Sequence, residues 1–240
     1  MNPLTCPKCS APVPEGGESC PRCGVIFSRL AAAQSRRERP KEPESRGAVL
    51  DLLLYVQEGE NAMILGAKIA LLAFLVIFGF KLIFTPILAF PHSNWWMHAV
   101  NLVFHEAGHV FFSPFGRFIH VLGGTLGQLI IPAVVIGAFL WKRDTFGAVV
   151  GTWWFGESCL DIAPYANDAR AGQLELLGGV TGSEVEDYHD WEVMLTKLGM
   201  MQYDHAIAKA FFTFGSIIMI AAMLWGAWLL WKGWQVRERV

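Results

Sequence analysis

His105 and His109 stand four residues apart, with Glu106 directly after the first, in the run Phe-His-Glu-Ala-Gly-His-Val-Phe-Phe. On a helix, imidazoles at i and i+4 share a face and can hold one metal ion. Glu106 lies beside that face, within reach of a water on the metal. Zinc lowers the pKa of such a water to about 7, and the carboxylate then takes its proton as a general base. Ala107 and Gly108 are small and leave room for a substrate backbone. The chemistry these residues can do is hydrolysis, with His105 and His109 as ligands of a catalytic zinc and Glu106 as the catalytic carboxylate.

A second metal-binding pattern lies near the amino terminus. Cys6-x-x-Cys9 and Cys20-x-x-Cys23 are two knuckles whose four thiolates suit one closed, tetrahedral zinc. Pro7, Pro21 and Gly24 sit where knuckle turns favour them. The competing arrangement, two disulfides, would need strained short-range bridges and an oxidising compartment, and no secretory signal is expected from the first residues, which lack a basic run leading into an apolar core. The pattern is similar to a zinc ribbon. Its zinc would be structural, because four thiolates leave no open position, and it would fold a segment too small for a core of its own. The fifth cysteine, Cys159, lies in an apolar run and reads as a packing residue.

The elements that must position these groups follow from composition. Of the 240 residues 53% are hydrophobic and only 17% charged, against about 25% charged in ordinary soluble domains. A net charge of −2 carries no basic surplus, so no nucleic-acid partner is expected. The expected fold is an all-α polytopic membrane protein with a small zinc-ribbon module at its amino terminus. The expected division is a ribbon over 1–28, a charged linker and amphipathic helix over 29–60, and a transmembrane domain over 61–235. Apolar stretches at 62–90, 95–112, 118–141, 145–165 and 206–231 give about five transmembrane helices, with a polar, acidic segment at 166–205. The tryptophans at 225, 228, 231 and 234 suit an interfacial belt. The Gly123-x-x-x-Gly127 and Gly147-x-x-x-Gly151 spacings allow close helix approach. Arg29, Arg36, Arg37, Arg39, Lys41 and Arg46 before the first span place the amino terminus in the cytoplasm; five spans would then leave Lys232, Arg237 and Arg239 outside, against the same rule. A prokaryotic cytoplasmic membrane is the expected location.

An ionised carboxylate at mid-membrane costs about 3 kcal/mol or more, so an HExxH run inside an apolar helix reads as functional. At this point the sequence resembles the site-2 protease type of intramembrane zinc metallopeptidase. In that family an HExxH helix lies in the membrane and a later span supplies an acidic third ligand. Its usual context there is Leu-Asp-Gly, whereas this chain has Leu160-Asp161-Ile162. Three residues compete for the third position. Asp168, in Pro-Tyr-Ala-Asn-Asp-Ala-Arg, is preferred; Asp161 and His189 are the alternatives. The Pro-Tyr-Ala-Asn-Asp-Ala-Arg and His-Asp-Trp runs together resemble a branch of membrane metallopeptidase-like proteins. Against these roles, Asp168 could cap a helix end after Pro164 has broken the helix, and Asp190 could be the N-cap of a helix beginning near Trp191. Glu157 is a candidate second-layer carboxylate, and His92, His98 and His120 read as interfacial or packing residues.

The resemblance implies an intramembrane zinc endopeptidase acting on membrane-protein substrates in the lipid bilayer, with the ribbon recruiting a cytosolic protein partner or recognising substrate. The alternative is a non-proteolytic membrane metal-binding or transport protein that uses the ribbon as an adaptor.

Overall fold

A computed structural model describes residues 4–13, 17–28, 47–57, 61–93 and 95–237. The chain divides into two units, residues 1–48 and 49–240.

In the first unit, β1 (Leu4–Thr5) pairs antiparallel with β2 (Pro12–Val13). Each knuckle repeats one hydrogen-bond pattern. Cys6 N–H donates to Ala11 O and Cys6 O accepts from Ser10 N–H; Cys20 N–H donates to Val25 O and Cys20 O accepts from Gly24 N–H. The residue after each pair takes a left-handed conformation, Ser10 at φ 56° and Gly24 at φ 68°, which glycine adopts without steric cost. Cys6 and Cys20 are buried together with Ala11 and Val13. The linker expected over 29–60 falls largely outside the described residues.

The second unit is built of helices. α1 (Ala48–Leu53) is short; the backbone around its end is fixed by Trp225 Nε1–H donating to Leu53 O at 2.9 Å and Thr145 Oγ1–H donating to Tyr55 O at 2.7 Å. α2 (Ala62–Ile83) starts at Asn61, whose side chain accepts from the Met63 and Ile64 N–H groups, satisfying two of the unpaired donors of its first turn. A 3-10 turn at Ile87–Ala89 leads into α3 (Phe90–Ser93). Next come α4 (Trp95–Phe112), α5 (Arg117–Trp141) and α6 (Thr145–Asp168). A loop over 169–189, the short α7 (Asp190–Leu198) and the long α8 (Asp204–Arg237) complete the unit.

Among the described residues, three helical segments are long and apolar enough to cross a membrane: Ala62–Ile83, Arg117–Trp141 and Met201–Arg237. The other two expected spans form helices at the expected places, α4 and α6, but their polar residues keep them out of this class. α6 is the central helix, with its Glu157, Ser158, Asp161 and Asp168 all buried in the fold. It runs through Pro164 to Asp168, where a break was expected; Pro164 is fully buried among residues that hold the helix on both sides.

Glycines set the closest helix contacts. A Cβ on Gly108 of α4 would collide with the Gly123 carbonyl of α5, and one on Gly127 would collide with the Phe104 carbonyl. Gly156 of α6 and Gly215 of α8 abut in the same way. The backbone of α5 therefore runs directly against the helix that carries His105 and His109.

Candidate metal centre

The four thiols of the first unit converge. Cys6 and Cys23 Sγ are 3.7 Å apart, as are Cys9 and Cys20 Sγ, and none is in a disulfide. A tetrahedral zinc with S–Zn bonds of about 2.3 Å sets sulfurs about 3.8 Å apart; two pairs stand at that spacing and all four sulfurs lie within 4.8 Å of one another, a cluster that could hold one ion. The backbone N–H of Cys23, with that of Arg22, holds the Cys20 thiol down to about 6 against the opposing effect of burial, and a thiolate is the form that binds metal.

In the second unit the helical spacing puts His105 and His109 on one face of α4, their rings 4.7 Å apart. The group that meets them is Asp190, at the start of α7. Its Oδ2 lies 2.9 Å from His105 Nε2 and 3.1 Å from His109 Nε2. Burial works against the Asp190 charge, but the hydrogen bonds and charges of the two histidines outweigh it and bring its pKa down to about 2. Glu106 lines the same cavity, of about 960 Å³.

The protonation pattern carries further information. His109 Nδ1–H donates to the His120 carbonyl at 2.8 Å, so Nε2 of a neutral ring holds a bare lone pair. That lone pair faces a carboxylate oxygen, which is also an acceptor. Two acceptors at this distance need a cation between them, a proton or a metal ion. Zinc with bonds of about 2.0–2.1 Å spaces its donor atoms about 3.3–3.4 Å apart, so the triad admits the ion by opening a few tenths of an ångström. The room for it comes from Gly124 of α5: a Cβ there would stand 2.5 Å from both His105 Nε2 and His109 Nε2. The donor set therefore fits a zinc centre with two imidazoles and one carboxylate.

The structure brings Asp190, not Asp168, to the histidines. Asp168 accepts hydrogen bonds from Gln173 N–H at 3.0 Å and Leu174 N–H at 2.8 Å, closing the loop after α6 as a helix-end cap does. His189 is also engaged elsewhere. Its Nδ1 accepts from Glu192 N–H at 3.3 Å, making His189, rather than Asp190, the N-cap of α7. Burial lowers the His189 pKa against the pull of Asp168, Asp190 and Glu192, which keeps the ring neutral as this cap requires. Because His189 caps the helix, the carboxylate of Asp190 in the first turn is free to turn toward α4. An aspartate after a histidine able to cap was the available signal for it.

Asp161 belongs to a second polar cluster on the wall of the same cavity. His98 Nδ1 lies 3.1 Å from both Asp161 oxygens, and Tyr165 Oη lies 3.2 Å from His98 Nε2. Gln128 Nε2–H donates to Asp161 Oδ2 at 2.9 Å. The buried Asn101 amide donates to both Asp161 and Glu157 at 3.0 Å, and its oxygen accepts from Trp154 Nε1–H at 2.9 Å. Glu157 is therefore tied to the Asp161 cluster. His98 and His120, read from sequence as interfacial or packing residues, both line the cavity, while Cys159 is buried.

No family model, curated protein or solved structure matches this chain.

Proposed function

We propose that the chain is an intramembrane zinc endopeptidase of the site-2 type, in which His105, His109 and Asp190 hold the ion and Glu106 is the catalytic base. The observation that supports this reading most is the convergence of both histidine Nε2 atoms on one Asp190 oxygen, in the cavity that Glu106 lines. Zinc, when bound there, supplies a water acidic enough to lose its proton near neutral pH and polarises a carbonyl. Glu106 takes that proton as the water oxygen bonds to the scissile carbonyl carbon. The C–N bond then breaks, and Glu106 returns the proton to the leaving amine nitrogen, so one water yields one carboxylate and one amine.

In this reading α4 and α6 cross the bilayer together with the three apolar segments, giving five spans. Their polar residues face one another across the cavity, which is the arrangement that keeps ionisable groups away from lipid. The arginines ahead of α1 put the amino terminus in the cytoplasm, where a thiolate zinc site stays reduced, and the membrane is a prokaryotic cytoplasmic one. The ribbon holds its own zinc and serves as the docking element for a cytosolic protein or for substrate. The substrates are membrane proteins cut within or beside a spanning segment.

The test is cleavage of a proteome-derived peptide library by the purified protein in detergent micelles. Cleavage products that vanish on chelation, return with added zinc, and are absent from the His105→Ala/His109→Ala double variant support the reading. Cleavage that survives the double variant overturns it.

A further inference from the structure

The cavity extends well past the metal centre. Along α4 its wall runs from His109 and His105 through Leu102 to His98. Seven residues separate His98 from His105, which at 1.5 Å per residue is about 10 Å of helix. On α5 the same stretch runs from Gly124, which abuts both histidine Nε2 atoms, through Thr125 to Gln128, which is bonded to Asp161. Tyr165 of α6 completes this end.

Two groups in this stretch have hydrogen-bonding capacity to spare. Thr125 is 4% exposed and its Oγ1 has no hydrogen-bond partner, although a helical threonine can usually bond the carbonyl one turn back. A buried hydroxyl left in this state costs free energy unless a ligand or water meets it. Tyr165 is the second. Asp161 accepts from His98 Nδ1–H, and Tyr165 Oη bonds His98 Nε2, as donor to a neutral ring or acceptor from a charged one. In either state the Tyr165 oxygen keeps a lone pair for another donor. Along the cavity stand one unpartnered hydroxyl, that of Thr125, and one phenol oxygen with a lone pair to spare, that of Tyr165.

An extended peptide needs both kinds of group along its length, donors for its carbonyls and acceptors for its N–H groups. A spanning segment that unwinds in a bilayer exposes such groups where no water can satisfy them. We propose that Thr125 and Tyr165 line a subsite for the backbone of an extended peptide, with Thr125 next to Gly124 at the metal end and Tyr165 beside His98 about three residues farther along, since about 10 Å corresponds to about three residues at 3.3 Å each. The Asp161–His98 pair positions Tyr165, and Asn101 and Gln128 hold Asp161 in place. This assignment rests on the peptidase reading.

Hydroxamates of different length separate the two claims, because the hydroxamate group itself seeks the metal. The zinc-loaded full chain in detergent is titrated calorimetrically with acetohydroxamate and with two trialanyl hydroxamates, one extended on the amino side of the hydroxamate and one on the carboxyl side. At least one trialanyl compound is expected to bind about tenfold tighter than acetohydroxamate, and Thr125→Val and Tyr165→Phe are each expected to remove about fivefold or more of that gain. Acetohydroxamate binding should be unchanged in both variants, which also shows that they are folded. If acetohydroxamate binds but neither trialanyl compound gains, or if the variants leave the gain intact, the subsite is overturned and the metal centre stands. If acetohydroxamate fails to bind the wild-type protein, the peptidase reading falls and the subsite falls with it.

Discussion

His109 and His120 hold each other through a reciprocal pair of hydrogen bonds. His109 Nδ1–H donates to the His120 carbonyl and His120 Nδ1–H donates to the His109 carbonyl, both at 2.8 Å. The first bond leaves Nε2 of His109 aimed at Asp190. The second fixes the register of α5 against α4, so that the accepting carbonyl stays in place. Loss of such outer partners typically weakens metal binding by about 10–100-fold. His120→Leu is therefore expected to weaken zinc at the histidine site by about that factor, measured by competition with a chromophoric chelator. His120→Asn, whose amide can donate to the same carbonyl, should recover part of the loss.

Asp190 and Asp168 are predicted to separate cleanly. Asp190→Ala should remove the zinc bound by the histidines and leave the ribbon zinc in place, as read by metal analysis. Asp168→Ala should keep both ions but lower thermal stability, since two backbone N–H groups lose their acceptor at a cost of about 1–3 kcal/mol. Zinc loss in the Asp168 variant with retention in the Asp190 variant would reverse the assignment.

Gly124→Ala tests the space for the ion. The added methyl would stand 2.5 Å from both Nε2 atoms, where zinc is to bind, so the histidine-site zinc should be lost. Alanine favours helix over glycine by about 1 kcal/mol, so loss of the helix is not the expected cause. Gly137→Ala, on the same helix with nothing within 4 Å of the new methyl, should retain both ions and serves as the control.

The ribbon should fail independently. Cys20→Ser removes a ligand from a module whose buried apolar core is little more than its own cysteines, Ala11 and Val13, and small zinc modules of this kind unfold without metal. Limited proteolysis should cut the first 28 residues of this variant, while zinc at His105 and His109 stays bound.

The parts of this protein governed by local rules were legible in its sequence. The paired Cys-x-x-Cys spacing announced the four-sulfur cluster, and the His-x-x-x-His spacing put two imidazoles on one face of α4. The Gly123-x-x-x-Gly127 spacing foretold the close α4–α5 approach. The third partner was not legible, because it depends on where a loop of about twenty residues returns. Asp161 and Asp168 drew the assignment through the Leu-Asp and Pro-Tyr-Ala-Asn-Asp-Ala-Arg runs that hold them, yet each accepts hydrogen bonds from donors of the scaffold. Asp190 looked like a helix cap, and that role is taken by the histidine before it. Pro164 misled for a similar reason: a local helix-breaking preference yielded to burial on every side. Five spans were expected and, among the described residues, three helical segments are long and apolar enough to cross a membrane, because α4 and α6 carry the polar residues of the cavity.

The central claim is that Glu106 performs hydrolysis at a zinc held by His105, His109 and Asp190. Glu106→Gln, measured for zinc content and for peptide-library cleavage in one preparation, tests it most directly. Zinc is expected at both sites as in the wild type, with cleavage reduced by at least about 10²-fold, as befits the loss of a general base. Undiminished cleavage with zinc still bound would contradict it.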